Sequence, residues 1–298
     1  MQRAVLIVNP FATAVTEERI AAVEAALARV ADVDVQLTRR PGHATELAEA
    51  ACSSGGCGAI FVFSGDGGFN EAVNGSDGRV PLGFLPGGGT SVLPRALGLP
   101  RDPVAAAERL AGSVERGRVR RITVGRVNGR RFTFSAGLGI DAEAVRRMDA
   151  LGRREDGSRP GDLRFAATLA RLVAERRGRF EPVLEVRGLG RAAFALVSNG
   201  DPYTYAGPVA LHVAPEARFE LGLDVAAPRR LTPASIPRAA AYVLSGRGAP
   251  SWLLRGHDLD RIEIHCDRAL PLQVDGEDLG DVEHAIFEAE RGALPILR

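Results

Sequence analysis

Lysine is absent from this sequence, and all 38 of its basic residues are arginine. The P-loop class of nucleotide-binding proteins is excluded, because its motif requires a lysine beside the phosphate-binding glycines. The formal net charge is only +1, which argues against a nucleic-acid partner held by bulk charge. Any bound phosphate must therefore be neutralised by backbone N–H groups, by arginine or by a metal ion.

Long apolar runs and paired cysteines are missing as well. No stretch approaches the roughly 18 apolar residues that a membrane-spanning helix needs. The N-terminus enters a strand directly, without the apolar core of a signal peptide. Cys52, Cys57 and Cys266 form no C-x-x-C motif, which indicates free thiols in a reducing compartment. We therefore expect a cytoplasmic protein.

The most informative stretch is Ala59–Gly75, which reads AIFVFSGDGGFNEAVNG. A predicted buried strand runs into the turn Gly65-Asp66-Gly67-Gly68, and a short helix follows. Backbone N–H groups and the positive end of a helix meet at such a turn, which favours phosphate binding. The carboxylate of Asp66 would repel phosphate, but it is suited to hold a cation or to accept a proton. This combination predicts phosphoryl transfer with Mg²⁺.

The first part of the chain, residues 1–117, alternates predicted strands and helices, which indicates βαβ units and a mainly parallel sheet. A second glycine turn, Gly87–Gly89, follows the predicted strand Pro81–Leu85. Ligands of such sheets bind at the carboxyl ends of the strands, where both glycine turns are expected.

The second part, residues 118–298, reads as short strands with short connections, beginning with a hairpin at Asn128-Gly129. Further strands are predicted at Phe219–Ala226, Leu259–Cys266, Leu272–Val274 and Ala285–Ala289. This pattern predicts an antiparallel sandwich or flattened barrel. Helices are predicted at Asp141–Leu151 and Leu163–Arg177, separated by a loop over residues 152–161. We expect two domains with a boundary near Gly117, and a return of the last residues to the first domain is left open.

Several motifs, in this order, resemble the catalytic domain of the diacylglycerol kinase and sphingosine kinase family. The family motif G-G-D-G-T-x-N-E-x-x-N-G appears as Ser64–Gly75, and P-G-G-S-T-N-V-x-x-R appears as Pro86–Arg95. G-x-G-x-D-A is matched at Gly137–Ala142, and D-G-E at Asp275–Glu277. The family's opening Asn-Pro is present at Asn9. The resemblance covers nearly the whole chain.

This resemblance implies a Rossmann-like nucleotide domain followed by an antiparallel β-sandwich, with the active site in the cleft between them. It also implies ATP, Mg²⁺ and transfer of the γ-phosphoryl group to a lipid hydroxyl, diacylglycerol-like or sphingoid-like. Glu277 would act as general base, with Asp275 and Asp66 as further catalytic carboxylates. The residues implied to hold the nucleotide are Asn9, Thr38, Gly65, Asp66, Gly67, Gly68, Asn70, Glu71, Gly88, Gly89 and Thr90.

The sequence departs from the family motifs at four places. Gly68 stands where the family has threonine, while Ser91 and Val92 replace an asparagine and an aspartate. The acidic D-D-G segment that holds a structural Mg²⁺ in some members is reduced to Glu220-Leu221-Gly222, which leaves Glu220 as its one candidate ligand. These departures leave open whether activity is low or the nucleotide preference is changed.

Two other functions remain open. NAD kinases share the G-G-D-G turn and an L-G-F-L segment, matched at Leu82–Leu85, but their N-E pair lies well downstream of the turn. Here Asn70 and Glu71 follow it at once. A non-catalytic nucleotide- or lipid-binding protein is the second alternative. Without the resemblance, Asp275-Gly276 alone would indicate no more than a hairpin turn.

The arginines between Arg146 and Arg179 surround apolar residues at helical spacing. This pattern indicates either an amphipathic helix with a solvated face or a basic surface that docks on an anionic membrane. A lipid substrate would require peripheral contact with the inner face of the membrane. The sequence leaves open the identity of the lipid acceptor and the oligomeric state, a dimer included.

Overall fold

The computed structural model describes residues 2–150 and 162–298. The predicted loop over 152–161 lies outside the described residues. The chain divides into two compact units. The first contains the residues up to Ile122 together with Gly292–Arg298, and the second lies between Thr123 and Arg291. Within the described ranges, no helix combines the length and apolarity needed to cross a bilayer.

The first unit alternates strands and helices, as its sequence predicts. Four strands lie side by side and run parallel, in the order β2 (Ala31–Leu37), β1 (Gln2–Val8), β3 (Cys57–Ser64) and β4 (Leu82–Pro86). The elements in chain order are β1 (Gln2–Val8), α1 (Glu17–Leu27), β2 (Ala31–Leu37), α2 (His43–Ser53), β3 (Cys57–Ser64), α3 (Asp66–Gly75), β4 (Leu82–Pro86), α4 (Val92–Ala96) and α5 (Pro103–Glu115).

The apolar runs of β1 and β3 are buried on both faces, which is why these strands show continuous rather than alternating hydrophobicity. Two helix starts follow from their capping residues. Thr16 accepts a hydrogen bond from the backbone N–H of Arg19 at the start of α1. Asp102 caps α5, where Pro103 occupies the first helical position.

The elements from residue 119 onward are mostly short strands and form the antiparallel part of the structure. They are β5 (Val119–Val127), β6 (Arg130–Phe132), β7 (Ser135–Leu138), α6 (Ile140–Ala150), α7 (Asp162–Glu175), β8 (Leu184–Val186), β9 (Gly190–Ala192), β10 (Ala195–Ser198), β11 (Thr204–Ala206), β12 (Val209–Leu211), β13 (Leu223–Pro228), a 3-10 turn (Pro233–Ser235), α8 (Ile236–Ser245), β14 (Leu253–Leu259), β15 (Arg261–Val274) and β16 (Glu277–Leu297).

The second unit is built on antiparallel strands in the order β14, β13, β10, β7, β15 and β16. β8 pairs with β15, and β11 and β12 form a separate hairpin. Phe132 and Phe287 meet edge to face in the core of this unit at a ring separation of 6.2 Å. The predicted fold class, α/β followed by β, is confirmed.

Several predicted strand boundaries differ from the observed ones. The two predicted strands Leu259–Cys266 and Leu272–Val274 are one strand, β15, with register shifts where it pairs with β16. The predicted strand Ala285–Ala289 is part of the much longer β16. β13 begins four residues later than predicted, because the N–H of Leu221 donates to the carbonyl of Arg218 in a turn.

Candidate functional site

The carboxyl ends of the four parallel strands are joined by a row of backbone hydrogen bonds. The N–H of Thr38, just after β2, donates to the last carbonyl of β1 at 2.8 Å. The N–H of Asn9, just after β1, donates to the carbonyl of Phe63 in β3 at 3.0 Å. The N–H of Gly87, just after β4, donates to the last carbonyl of β3 at 2.7 Å. The structure therefore brings Asn9, Thr38 and both glycine turns to one edge of the sheet.

The two glycine turns touch each other at Gly65 and Gly88. A Cβ on Gly88 would lie 2.9 Å from the Cα of Gly65, and one on Gly65 would lie 3.4 Å from the Cα of Gly88. Gly89 is exposed and has open space around it, and Thr90 follows in the same turn. This approach requires glycine, and it lets the backbones of two loops face one point.

The second turn is closed by Ser91, a residue that sequence reasoning treated only as a departure. The N–H of Gly88 lies 3.2 Å from the Ser91 hydroxyl oxygen, and that hydroxyl donates to the carbonyl of Gly88 at 3.1 Å. Ser91 adopts a left-handed backbone conformation with φ of 47°. The signal available in the sequence is a serine three residues after a glycine, a spacing that permits such a side-chain turn.

Asp66 links the first glycine turn to the residues that follow the second. Its carboxylate accepts hydrogen bonds from the N–H groups of Val92 at 3.0 Å and Leu93 at 3.2 Å, at the start of α4. These bonds fix the distance between the two turns. The geometry gives Asp66 a positioning role, and the proton-accepting role that its sequence context suggests stays a prediction.

The remaining residues of the first motif lie in α3, with Gly67 and Gly68 in its first turn. Asn70 is fully buried and accepts hydrogen bonds from the side-chain amide of Asn74. The carboxylate of Glu71 accepts the N–H of Ala44 at 3.1 Å, at the start of α2. Glu71 thus links α3 to the start of α2, while the bonds between Asn74 and Asn70 lie within α3.

In the second unit, Asp275 and Gly276 form the two-residue turn between β15 and β16. Both have positive φ, 47° and 81°, as this tight hairpin requires. Asp275 is buried, and its carboxylate accepts four hydrogen bonds. The donors are the N–H of Thr133 (2.7 Å), the hydroxyl of Thr133 (2.9 Å), and the N–H groups of Phe134 (3.0 Å) and Ser135 (3.2 Å). The four donors make Asp275 an anchor of the turn.

Glu277 is the first residue of β16, and its side chain is about one-quarter exposed (24%). Its carboxylate lies 3.4 Å from the guanidinium of Arg130. The next residue, Asp278, pairs with Arg146 at 2.8 Å, and these hydrogen bonds lower the pKa of Asp278 below its usual range. Arg146 also reaches Asp281 at 2.6 Å. Arginines therefore hold the acidic residues that follow the turn on β16.

Glu220 is exposed, and the cation next to its segment is an arginine. The N–H of Gly222 donates to Asp258 at 2.7 Å, and the guanidinium of Arg291 pairs with that carboxylate at 2.7 Å. Across residues 2–150 and 162–298, no cluster of three or more His, Cys, Asp or Glu could hold a metal ion. The metal role of Glu220 stays a prediction.

Comparison with known proteins gives an independent finding. Residues 3–127 match the family model described as the diacylglycerol kinase catalytic domain. The diacylglycerol kinase of Bacillus subtilis (strain 168) is 43% identical over 83 residues, which cover 27% of this chain and 26% of that protein. A Streptococcus pneumoniae protein, provisionally named a lipid kinase, is 29% identical over 144 residues, 47% of this chain and 46% of its own.

These matches span between about a quarter and a half of the length of the curated relatives. The fold is similar over a much greater length. A crystal structure described as a diacylglycerol kinase from Bacillus anthracis str. Sterne has a TM-score of 0.75 at 22% identity, covering 99% of this chain and 96% of that one. The chain therefore resembles the diacylglycerol kinase family, as its motifs predict.

Proposed function

We propose that this protein is a lipid kinase that transfers the γ-phosphoryl group of ATP to a lipid hydroxyl in the presence of Mg²⁺. The observation that carries this proposal is the contact between Gly65 and Gly88 at the carboxyl ends of adjacent parallel strands. Two bare backbone turns at one point suit a polyphosphate, because their N–H groups can donate without side chains in the way. The family match over residues 3–127 supports the same function.

The nucleotide would lie against the sheet edge that Thr38, Asn9 and the two glycine turns form. Backbone donors suit this chain because it has no lysine to neutralise phosphate. Mg²⁺ commonly keeps several waters and is held through substrate phosphates and one or two carboxylates.

Glu277 is the proposed general base. In this reaction the carboxylate takes the proton of the lipid hydroxyl while the hydroxyl oxygen attacks the γ-phosphorus and the bond to the β-phosphate oxygen breaks. Arg130, at 3.4 Å, orients the carboxylate. Asp275 supports the same turn through its four hydrogen bonds, so its contribution to the reaction is to hold Glu277 in place.

The test is a substrate screen with the full chain. Purified protein, ATP and Mg²⁺ are incubated with diacylglycerol, sphingoid bases, ceramide and a total lipid extract, and the products are identified by mass spectrometry. NAD⁺ is included as a separate acceptor. We expect a phosphorylated lipid and no NADP⁺. Formation of NADP⁺ would instead support an NAD kinase, and ATP binding without any product would support a non-catalytic binding protein.

Peripheral contact with the inner face of the membrane is part of this proposal, because the acceptor resides in a bilayer. The described part of α7 is largely exposed, with Leu172 buried and Arg171 pointing to solvent beside Glu175. Three exposed arginines, Arg176, Arg177 and Arg179, follow the helix directly. An exposed helix with basic residues at its end can lie on an anionic surface. Co-sedimentation with vesicles containing phosphatidylglycerol tests this contact directly, and binding that is lost at high salt is the expected result.

A further inference from the structure

A buried polar cluster in the second unit has no part in the chemistry proposed above. It consists of Asp141 on α6, Tyr203 before β11, and Gln273 on β15, which are 8%, 6% and 2% exposed. One carboxylate oxygen of Asp141 accepts the Tyr203 hydroxyl at 2.7 Å and the side-chain amide of Gln273 at 2.6 Å. That amide also lies 3.1 Å from the Tyr203 oxygen. Burial raises the pKa values of both Asp141 and Tyr203.

Gln273 connects this cluster to the turn that carries Glu277. Its side-chain oxygen accepts the N–H of Gly276 at 2.9 Å, while its side-chain nitrogen faces Asp141. The two ends of the amide are not interchangeable here. A flipped amide would place oxygen against the Asp141 carboxylate and N–H₂ against the N–H of Gly276, so both contacts would become repulsive. Asp141 therefore determines which end of the amide faces the turn.

The close packing around the cluster depends on Gly137 in β7. A Cβ at this position would collide with the carboxylate of Asp141 and would lie 3.1 Å from the Tyr203 hydroxyl oxygen. The spacing between Gly137 and Asp141 in the third motif is thus explained by packing. The carboxylate can reach Tyr203 and Gln273 only over a residue that has no side chain.

We propose that Gln273 is a positioning residue for Glu277, with Asp141 and Tyr203 fixing the orientation of its amide. This inference rests on the proposed function, since the position of Glu277 matters to catalysis only if that residue is the base. Gly276 is held by Gln273 on one side of Glu277, and Asp278 is held by Arg146 on the other. Catalytic side chains need such support, because small displacements reduce the rate strongly.

The experiment compares Gln273→Leu and Tyr203→Phe with a matched control, Tyr242→Phe. Tyr242 is also a buried tyrosine of the second unit, but its hydroxyl donates to the carbonyl of Val213 and does not touch the cluster. Hydrogen–deuterium exchange of residues 275–280 measures how readily the backbone N–H groups of the turn open to solvent. Steady-state kinetics on the best lipid acceptor report kcat and the KM for ATP separately.

We expect faster exchange over residues 275–280 in Gln273→Leu and Tyr203→Phe, and unchanged exchange in Tyr242→Phe. The kcat of Gln273→Leu should fall about 10- to 100-fold, because the base is displaced. The KM for ATP should stay within about twofold, since the ground-state contacts of the nucleotide are intact.

Two outcomes separate this inference from the proposed function. Unchanged exchange at the turn in a folded Gln273→Leu protein overturns the inference, whatever the activity. If exchange at the turn is faster in Gln273→Leu, the link from Gln273 to the turn is supported. If the wild-type protein also phosphorylates no lipid, the kinase proposal is rejected while this link remains. If Gln273→Leu does not fold, Tyr203→Phe decides by the same two measurements, because it removes only one hydroxyl group.

Discussion

The side chain of Ser64 fills the space that a side chain at residue 68 would need. A Cβ on Gly68 would lie 2.7 Å from the Cβ of Ser64 and closer still to its hydroxyl oxygen. That hydroxyl is buried and has no hydrogen-bond partner among residues 2–150 and 162–298. The glycine at residue 68, which departs from the family motif, is therefore linked to Ser64 by a steric relationship.

The variant Gly68→Thr should lower the free energy of unfolding by about 1–3 kcal/mol, the usual cost of overpacking a filled space. This loss of stability should be smaller in the double variant Ser64→Gly/Gly68→Thr, because Ser64→Gly removes the side chain that fills the space. Urea unfolding of the two single variants and the double variant measures a coupling energy, for which we expect roughly 1 kcal/mol or more.

The matched control for this cycle is Gly89→Thr, since an added Cβ there has no atom within 4 Å. Its unfolding free energy should change by no more than about 0.5 kcal/mol. Strictly additive effects of Ser64→Gly and Gly68→Thr would show that the two positions do not share space.

Much of the first unit could be predicted because its signals are local. The continuous apolar runs of β1 and β3 and the glycines after β3 and β4 are visible in short windows. The contact between Gly65 and Gly88 follows from them, because parallel strands end at one edge. The bonds from Asp66 to the start of α4 could not be predicted, because they depend on how that short helix is turned toward the first loop.

The second unit is less predictable because its key contacts join distant positions. Gln273 and Asp141 are 132 residues apart, as are Arg146 and Asp278. The length of β16 depends on the strands beside it, which no short window contains. A local pattern can identify Asp275-Gly276 as a turn. It cannot show that Thr133, Phe134 and Ser135 donate hydrogen bonds to the Asp275 carboxylate.

Asp66→Asn tests whether the link between the glycine turns is structural. The amide keeps only one acceptor oxygen, so at least one of the bonds to Val92 and Leu93 is lost. We expect a loss of about 0.5–2 kcal/mol in unfolding free energy, the range for removal of a helix-capping side chain. Nucleotide affinity, measured by titration calorimetry with ATP and Mg²⁺, should weaken in parallel.

The exposed aspartate Asp32 supplies the control variant, Asp32→Asn. It makes the same chemical change on β2 and should alter neither measurement. The opposite outcome is an Asp66→Asn protein that is fully stable and binds ATP normally but no longer turns over. That result would support the direct catalytic role predicted from the motif.

Glu277 and Asp275 should respond differently to amide substitution. Glu277→Gln should lower kcat by about 10²–10⁴ through loss of the general base, with little change in stability.

Asp275→Asn should instead cost roughly 2–3 kcal/mol of unfolding free energy, because a buried acceptor of four hydrogen bonds loses its charge. Thermal unfolding and lipid phosphorylation are measured on both proteins.

Glu283→Gln, a change at an exposed position on β16, is the control for Glu277→Gln. Normal turnover in Glu277→Gln would remove this residue as the base. Normal stability in Asp275→Asn would show that the four hydrogen bonds contribute little to folding.

The pair formed by His257 and Asp224 predicts a pH dependence of stability. The Nδ1 atom of His257 lies 2.9 Å from the buried carboxylate of Asp224. This hydrogen bond raises the pKa of His257 above its ordinary value of 6.5, and the charges of Asp224, Glu216 and Asp258 act in the same direction. The folded state therefore holds the proton more tightly than the unfolded state does.

A raised folded-state pKa contributes stability that is complete below pH 6.5 and is lost as the pH rises through the higher, folded value. We expect the difference in unfolding free energy between the wild type and His257→Asn to be largest near pH 6 and to decline toward pH 8. Urea unfolding at several pH values measures it, and His43→Asn controls for the removal of an imidazole elsewhere. A difference that stays constant across this range would mean that the pair does not couple protonation to folding.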